Sequence, residues 1–317
     1  GLLEGLNDPY SVYYTAEEYR KMMEQTSGTY SGIGALVSQN AETGIITVVK
    51  AFADAPAAKA GVKNGDIIYK VKGKEVTGVD INNVVTEMKG EKGTTVDITV
   101  YRESEKKYID FTITRDQVNE PTVEYKMLDK KKKIGYIQIS QFEEVTYDQF
   151  TKALDDLKKQ GMKAVIFDVR NNPGGLYETV CKMLDEILPE GTLVSTKDKY
   201  GNEEKQTSDS KYLEMPMVVL QNKNSASASE IFAGAIQDFN AGKIVGTQSF
   251  GKGIVQTILP LSDGSAVKLT VQDYYTPSGK NIHGKGITPD VEAELEENAT
   301  SDIQLEKAKE TIMELMK

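Results

Sequence analysis

Three residue types are scarce in this chain of 317 residues, which has one cysteine, one histidine and no tryptophan. The single cysteine, Cys181, excludes an intrachain disulfide and any zinc or iron–sulfur site built from several cysteines. The single histidine, His283, lies in the glycine-rich stretch GKNIHGKGITPD, where an exposed loop position is the simpler interpretation. A Ser-His-Asp centre or a zinc hydrolase would depend on that one histidine. If the chain is a hydrolase, we therefore expect its general base to be another residue type.

Long apolar runs and an excess of positive charge are also missing. No stretch approaches the roughly 18 apolar residues of a membrane-spanning helix. The net charge of −10 argues against non-specific binding to the phosphate backbone of nucleic acids, so nucleic acid is not an expected partner. Hydrophobic residues make up 39% and charged residues 27%, as in ordinary globular proteins. The length predicts two or three domains.

The first third of the chain divides into two regions. Residues 1–27 are predicted to form short helices, with Thr15 and Glu18 at the spacing of a capping box. A strand-rich module follows over residues 28–114, and its predicted strands are GIGALVS, GIITVVKAF, GDIIYKVKGKEV and TTVDITVYR. Two short helices are predicted from APAAKAG and from DINNVVTEMKG, the second ending at Gly90 as its C-cap.

From about Tyr125 strands and helices alternate. The predicted strands are KIGYIQISQF, KAVIFDV, PMVVLQN, GKIVGT and GIVQTILPL. The predicted helices are TYDQFTKALDDLKKQG, LYETVCKMLDEIL and an amphipathic terminal helix over residues 301–317, which could pack back or pair with another chain. The continuous apolar run KAVIFDV is typical of a buried parallel strand. This alternation predicts an α/β layer with helices packed on a sheet.

Three serines, Ser225, Ser227 and Ser229, alternate in NSASASEIFAGAIQDF just before an apolar helical pattern. The pattern predicts a helix that begins near Ser227. Ser227 and Glu230 have the spacing of a capping box, and a capping serine needs no catalytic role. A nucleophile would also be well placed there, because a helix start offers free N–H groups and a partial positive charge. The residues alone leave both interpretations open.

Partners for such a nucleophile can be named from two glycine-containing motifs. The N–H of Ala228, with that of Gly174 or Gly175 in NNPGG, could form an oxyanion hole, although NPGG is equally typical of an ordinary tight turn. Lys252 in SFGKGIVQ could act as the base, with Gln256 four residues on orienting its amine. A lysine in a polar loop is usually a solvated charge, but one in an apolar pocket loses its proton readily.

The motifs NSASASEIFAGAIQD, GKGIVQ and FDVRNNPGG resemble, in this order and spacing, the carboxyl-terminal processing proteases of the S41 family of serine peptidases. The stretches LNDPYSVYY, GYIQISQF and YYTPSGKNIHGKGITPD extend the resemblance over nearly the whole chain. The resemblance implies that Ser227 is the nucleophile, Lys252 its base and Gln256 the residue that orients the lysine. It implies an α/β core of the ClpP and crotonase type, with no metal and no cofactor.

The strand-rich module resembles a PDZ domain through YSGIGALV and APAAKAGVKNGDIIYKVKGKEV. The N–H groups of Gly32, Ile33 and Gly34 would then hold a peptide's C-terminal carboxylate, and the next strand would pair with the peptide. Alternatively, Gly32 and Gly34 only allow a tight turn into the strand and bind no ligand. We therefore predict an α/β multidomain chain with a helical N-terminal segment (1–27), a PDZ domain (28–116) and a protease core (117–317).

The expected partners are proteins or peptides with free C-termini, with a homodimer and a regulatory partner as further possibilities. The resemblance also implies a place outside the cytoplasm, in a bacterial cell envelope, with a membrane anchor in the full-length chain. Two other functions stay open. The protein could be a PDZ adaptor with a silent protease fold, or a crotonase-like acyl-CoA enzyme, although that chemistry has no use for a PDZ module.

Overall fold

The computed structural model describes residues 3–294 and 301–317. The chain forms two compact units: a main unit of Gly1–Ser27 with Thr122–Lys317, and an inserted unit of Gly28–Pro121. In the part of the chain described here, no helix is long and apolar enough to cross a membrane.

The N-terminal segment of the main unit is only partly helical. A 3₁₀ turn at Glu4–Leu6 is followed by strand β1 (Val12–Tyr14) and helix α1 (Ala16–Ser27). The predicted capping box is present, because the Glu18 carboxylate accepts the Thr15 N–H at 2.9 Å and the Thr15 hydroxyl accepts the Glu18 N–H at 3.3 Å. The prediction of short helices for residues 1–27 is wrong at β1, which is a strand. Its three residues pair with residues 266–268, and so short a strand has no local periodicity to predict it.

The inserted unit is β-rich, as predicted. Its elements are β2 (Thr29–Gly32), β3 (Ala35–Gln39), β4 (Ile46–Ala51), α2 (Pro56–Ala60), β5 (Ile67–Val71), β6 (Lys74–Glu75), α3 (Ile81–Met88), β7 (Thr95–Arg102), β8 (Lys107–Thr114) and β9 (Asp116–Asn119). The sheet has the order β3-β4-β5-β7-β8, with β6 on β5, so β3 is an edge strand.

Two details of the inserted unit differ from the sequence expectations. The C-cap of helix α3 is Lys89 rather than the predicted Gly90. The N–H of Gly90 donates to the carbonyl of Ser31, outside the helix. Strand β9 pairs with β2, so the unit continues to Pro121, beyond the expected boundary at 116.

The rest of the main unit alternates strands and helices. Its elements are β10 (Val123–Asp129), β11 (Ile134–Ile139), α4 (Thr146–Lys159), β12 (Ala164–Asp168), α5 (Tyr177–Asp185), β13 (Gly191–Asp198), β14 (Glu203–Ser208), β15 (Met217–Gln221), α6 (Ala228–Asp238), β16 (Gly242–Gly246), β17 (Ile254–Pro260), β18 (Ala266–Tyr275), β19 (Val291–Glu292) and α7 (Ile303–Leu315).

A six-stranded sheet of order β10-β11-β12-β15-β16-β19 forms the centre of this unit, and every pair after β10–β11 is parallel. All five residues of β12 and of β15 are buried, which confirms the prediction of continuous apolar strands in the interior. One face packs on α4, α5 and α6, and the other on α7. The α/β class predicted from the sequence is therefore confirmed.

A second, antiparallel sheet completes the main unit and was not predicted. It has the order β1-β18-β13-β14, and β17 also pairs with β18. This sheet helps to position the site, because its β17–β18 hairpin carries Gln256. In the first sheet, the carboxyl ends of β12 and β15 lead into the NNPGG loop and α6. The two sheets thus bring all the predicted protease residues to one side of one unit.

Candidate active site

Ser227 occupies the turn between β15 and α6, directly before the first helical residue. Its backbone has φ 56° and ψ −117°, a conformation that residues with a Cβ rarely adopt. Such strain costs on the order of 1–3 kcal/mol and is concentrated at functional sites. The predicted relation to Glu230 is also present, because the Glu230 carboxylate accepts the Ser227 N–H at 2.8 Å. Ser227 is half-buried and lines a cavity, so its side chain is accessible to a ligand.

The serines on either side of Ser227 are structural. Both are fully buried. The Ser225 hydroxyl donates to the carbonyl of Val169 at 2.8 Å, and the Ser229 hydroxyl donates to the carbonyl of Asn172 at 2.9 Å. Both bonds tie the start of α6 to the loop that follows β12. They fix the position of the turn in which Ser227 is held.

The NNPGG loop lies against this turn. A Cβ built on Gly174 would lie 2.8 Å from the Ser227 Cβ and 3.0 Å from the Ala228 nitrogen, so only glycine permits the approach. The Gly174 N–H is engaged, since it donates to the Asn172 side-chain oxygen at 2.8 Å. Within the described residues, the N–H groups of Ala228 and Gly175 have no hydrogen-bond acceptor. Two of the three predicted oxyanion donors are therefore available to a ligand, and Gly174 contributes close approach instead.

Lys252 lines the same cavity as Ser227 and is half-buried. Burial lowers the pKa of its amine below the ordinary value, the nearby Lys268 cation lowers it further, and Asp8 acts in the opposite direction. Its Nζ lies 5.1 Å from the centre of the Tyr10 ring. Among the described residues, no hydrogen bond joins Nζ to the Ser227 hydroxyl.

Gln256 is also in the cavity, but its side chain is held by the N-terminal segment. Its amide Nε2 donates to the carbonyl of Tyr10 at 2.6 Å. No hydrogen bond between Gln256 and Lys252 is found in residues 3–294 and 301–317. The structure therefore brings Ser227, Lys252 and Gln256 to one cavity without linking them directly.

The residue that does link the predicted elements is Glu230, which is completely buried. Besides the Ser227 N–H, its carboxylate accepts the Ser249 hydroxyl at 2.6 Å, the Gly251 N–H at 2.7 Å and the Lys252 N–H at 2.8 Å. One carboxylate therefore fixes the backbone of both Ser227 and Lys252. The sequence indicated only its capping role; its contacts with residues 249–252 join segments about twenty residues apart and left no local signal.

The cavity has a volume of about 910 Å³, enough for several residues of an extended peptide. Its wall combines apolar side chains such as Phe142, Ile231 and Ile254 with the polar groups described above. No group of three or more His, Cys, Asp or Glu side chains in the described part of the chain has the geometry to hold a metal ion. The arrangement can bring a hydroxyl, an amine of lowered pKa and two free N–H donors to one bound group.

In the inserted unit, Gly32 ends β2, and Ile33 and Gly34 connect it to the edge strand β3. The carbonyls of Ile33 and Gly34 accept N–H groups from Ala57 and Phe52, at 2.7 and 3.0 Å. In the described residues, the N–H groups of Ile33 and Gly34 have no acceptor. Gly34 has φ 76°, and a Cβ there would lie 2.3 Å from the Cβ of Ala55. This loop and the open edge of β3 have the features needed to bind a peptide by strand addition.

Comparisons with known proteins agree with these two units. Residues 133–293 match the model described as peptidase family S41, and residues 31–113 match the PDZ domain model. A carboxy-terminal-processing protease of Bartonella bacilliformis is 41% identical over 302 residues, covering 93% of this chain and 68% of that protein. A probable CtpA-like serine protease of Staphylococcus epidermidis is 40% identical over 295 residues, covering 92% of this chain and 59% of that protein.

Among solved structures, the photosystem II D1 C-terminal processing protease is similar, with a TM-score of 0.57 and 29% identity, over 99% of this chain and 83% of that one. The chain thus spans only part of each of these three proteins.

Proposed function

Because the chain belongs to peptidase family S41 and carries a PDZ domain, we propose that it is a serine endopeptidase that binds the C-terminal tail of protein substrates and cleaves a peptide bond near that end. The membership confirms the resemblance found in the sequence motifs. The observation that carries the proposal is the strained Ser227 at a helix start, in one cavity with Lys252 and beside two unoccupied N–H donors. A purely structural N-cap needs neither that strain nor those neighbours.

In the proposed reaction, the Ser227 hydroxyl attacks the scissile carbonyl carbon and its proton passes to the neutral amine of Lys252. The N–H groups of Ala228 and Gly175 stabilise the negative oxygen of the tetrahedral intermediate. Lys252 then gives the proton to the departing amine, which leaves an ester on Ser227. Water hydrolyses this ester with the same lysine as base. The lowered pKa of Lys252 supports this role, because a base must be neutral before it can accept a proton.

The catalytic groups must approach each other during this reaction. In the proposed cycle the Lys252 amine moves to the Ser227 hydroxyl when substrate fills the cavity, and Gln256 orients it through its side-chain oxygen. Hydrogen bonds of this kind often tighten only in the substrate complex. Separation of the two groups in the free protein is therefore compatible with the proposal.

Tail recognition is assigned to the inserted unit. The N–H groups of Gly32, Ile33 and Gly34 would hold the terminal carboxylate, and β3 would pair with the tail. The family resemblance further supports a place outside the cytoplasm. From the same resemblance we also propose a membrane anchor in the full-length protein, a homodimer and a regulatory partner.

The test compares wild type with Ser227→Ala and Lys252→Ala on a loosely folded protein that ends in small apolar residues, with fragments identified by mass spectrometry. Lys211→Ala, at an exposed lysine of the main unit, is the matched control. We expect cleavage by wild type and the control only, and weaker cleavage when the substrate C-terminus is amidated. Cleavage that survives in Ser227→Ala would refute the assigned nucleophile. Tail binding without cleavage by any variant would favour a PDZ adaptor.

A further inference from the structure

The segment Asp8–Tyr14, here called the N-terminal strap, lines a cavity that adjoins the candidate active site and contacts Lys252 and Gln256 through Tyr10. Its β1 pairs with β18, with Val12 opposite Lys268 and Tyr14 opposite Ala266. The Ser11 hydroxyl accepts the Thr270 N–H at 3.3 Å, and Thr270 of β18 is the residue that pairs with Gln256 of β17. The strap is therefore attached to the strand that neighbours the predicted base and its orienting residue.

Tyr10 of the strap contacts both of those residues. The face of its ring is turned towards the Lys252 Nζ, 5.1 Å from the ring centre. Its carbonyl accepts the Gln256 amide N–H at 2.6 Å. The Tyr10 ring also packs against the His283 ring in a T-shaped arrangement, with 6.3 Å between centres and 66° between planes. Tyr10 is held between these neighbours, so its ring provides a fixed surface for the amine.

The charges around the Lys252 amine explain why an aromatic ring suits this position. Lys268 of β18 lowers its pKa and Asp8 of the strap raises it, while the Glu230 carboxylate is already engaged by the Lys252 backbone. Asp273 and His283 line the adjoining cavity on the strap side. A carboxylate in direct contact would hold the amine in its charged form, whereas a ring face attracts the ammonium more weakly and bears no charge.

The carbonyl contact acts on the second residue. A glutamine side chain has one donor group and one acceptor oxygen. With Nε2 engaged by the Tyr10 carbonyl, the Gln256 oxygen is left as the acceptor that an amine can use. One strap residue thus defines the direction of both the lysine and the glutamine.

We propose that Tyr10 is a positioning residue of the active site, whose ring orients the Lys252 amine while its carbonyl fixes the Gln256 amide. The inference rests on the proposed function, because it takes Lys252 as the base. The protease centre then needs the N-terminal strap, which lies about 240 residues before Lys252 and Gln256 in the sequence.

The experiment uses the full chain with Tyr10→Leu, which removes the ring, and Tyr10→Phe, which keeps it. Tyr13→Leu, at an exposed tyrosine of the same strap, is the matched control. For each we would measure kcat and KM against pH and, independently of cleavage, titrate the Lys252 side chain by carbon NMR, with Lys252→Arg to assign the signal.

We expect Tyr10→Phe and Tyr13→Leu to stay within about twofold of wild type in kcat, with the same pH midpoint. Tyr10→Leu should lower kcat at least about tenfold with little change in KM, because positioning is lost after substrate has bound. Its Lys252 midpoint should fall by roughly half to one pH unit, since the ring no longer favours the ammonium.

An unchanged Lys252 midpoint in Tyr10→Leu would overturn the proposal, as would equal loss of kcat in Tyr10→Phe and Tyr10→Leu, which indicates only a structural role. Failure of the proposed function is recognised separately, by absence of cleavage in wild type or its survival in Ser227→Ala. The NMR titration still decides in that case whether the Tyr10 ring acts on the amine.

Discussion

Replacing Glu230 by glutamine tests the idea that one buried carboxylate holds the two halves of the candidate centre together. The carboxylate accepts four hydrogen bonds, from Ser227, Ser249, Gly251 and Lys252. Glutamine has nearly the same shape but offers one acceptor oxygen and two N–H donors. The Ser249 hydroxyl can reverse and accept from the new N–H group, whereas a backbone N–H cannot. At least one backbone donor therefore loses its partner.

The size of the effect follows from this count. A buried donor left without its partner costs about 1–3 kcal/mol. The two bonds that remain on the single oxygen change from charged to neutral and lose on the order of 1 kcal/mol each. We therefore expect Glu230→Gln to lower the free energy of unfolding by about 3–5 kcal/mol, a large part of a typical stability of roughly 5–15 kcal/mol. Displacement of Ser227 or Lys252 by about 1 Å would also reduce kcat roughly 100-fold.

Urea unfolding and steady-state cleavage of the tail substrate measure the two effects. Glu314→Gln, at an exposed glutamate of α7, is the control and should change stability by less than about 0.5 kcal/mol. A Glu230→Gln protein with control-like stability and full activity would refute the reasoning, because the four contacts would then contribute nothing. A Glu230→Gln protein that is less stable but has a normal kcat would contradict the expected loss of activity. Glu230 would then stabilise the fold without positioning Ser227 or Lys252.

Three further predictions concern other parts of the chain. Lys268→Gln removes the cation that helps to lower the Lys252 pKa, so the acidic limb of a plot of kcat against pH should move to higher pH; an unchanged limb would exclude the coupling. Gly34→Ala places a methyl group 2.3 Å from the Ala55 Cβ at φ 76° and should weaken binding of a C-terminal peptide at least about tenfold by calorimetry, whereas unchanged affinity would remove this loop from the peptide site. Asp302→Ala loses two bonds to the Arg170 guanidinium and the cap of α7, and should cost about 1–3 kcal/mol in urea unfolding; a loss below about 0.5 kcal/mol would contradict it.

Short-range patterns in the sequence determined the class of fold and pointed to the candidate residues, while the catalytic roles of those residues came from the resemblance of the motifs to the S41 family. The apolar run of β12, the helical period after Ser227 and the S-x-x-E spacing to Glu230 each lie within one element or one turn, where side-chain periodicity follows backbone geometry. Lys252 and Gln256 could also be found from a local motif, GKGIVQ, because one lies just before β17 and the other lies in it.

Tertiary structure alone decided how these residues are held. The second sheet brings β1 and β18 together, and Tyr10 reaches Gln256 across 246 positions of sequence. Glu230 meets Ser249, Gly251 and Lys252 only because α6 and the loop before β17 pack side by side. The Gly174 N–H, expected as an oxyanion donor, is engaged by Asn172 through the fold of its loop. Such contacts depend on how helices, strands and loops pack together, so they cannot be predicted from a local sequence pattern when the partner lies far away in sequence.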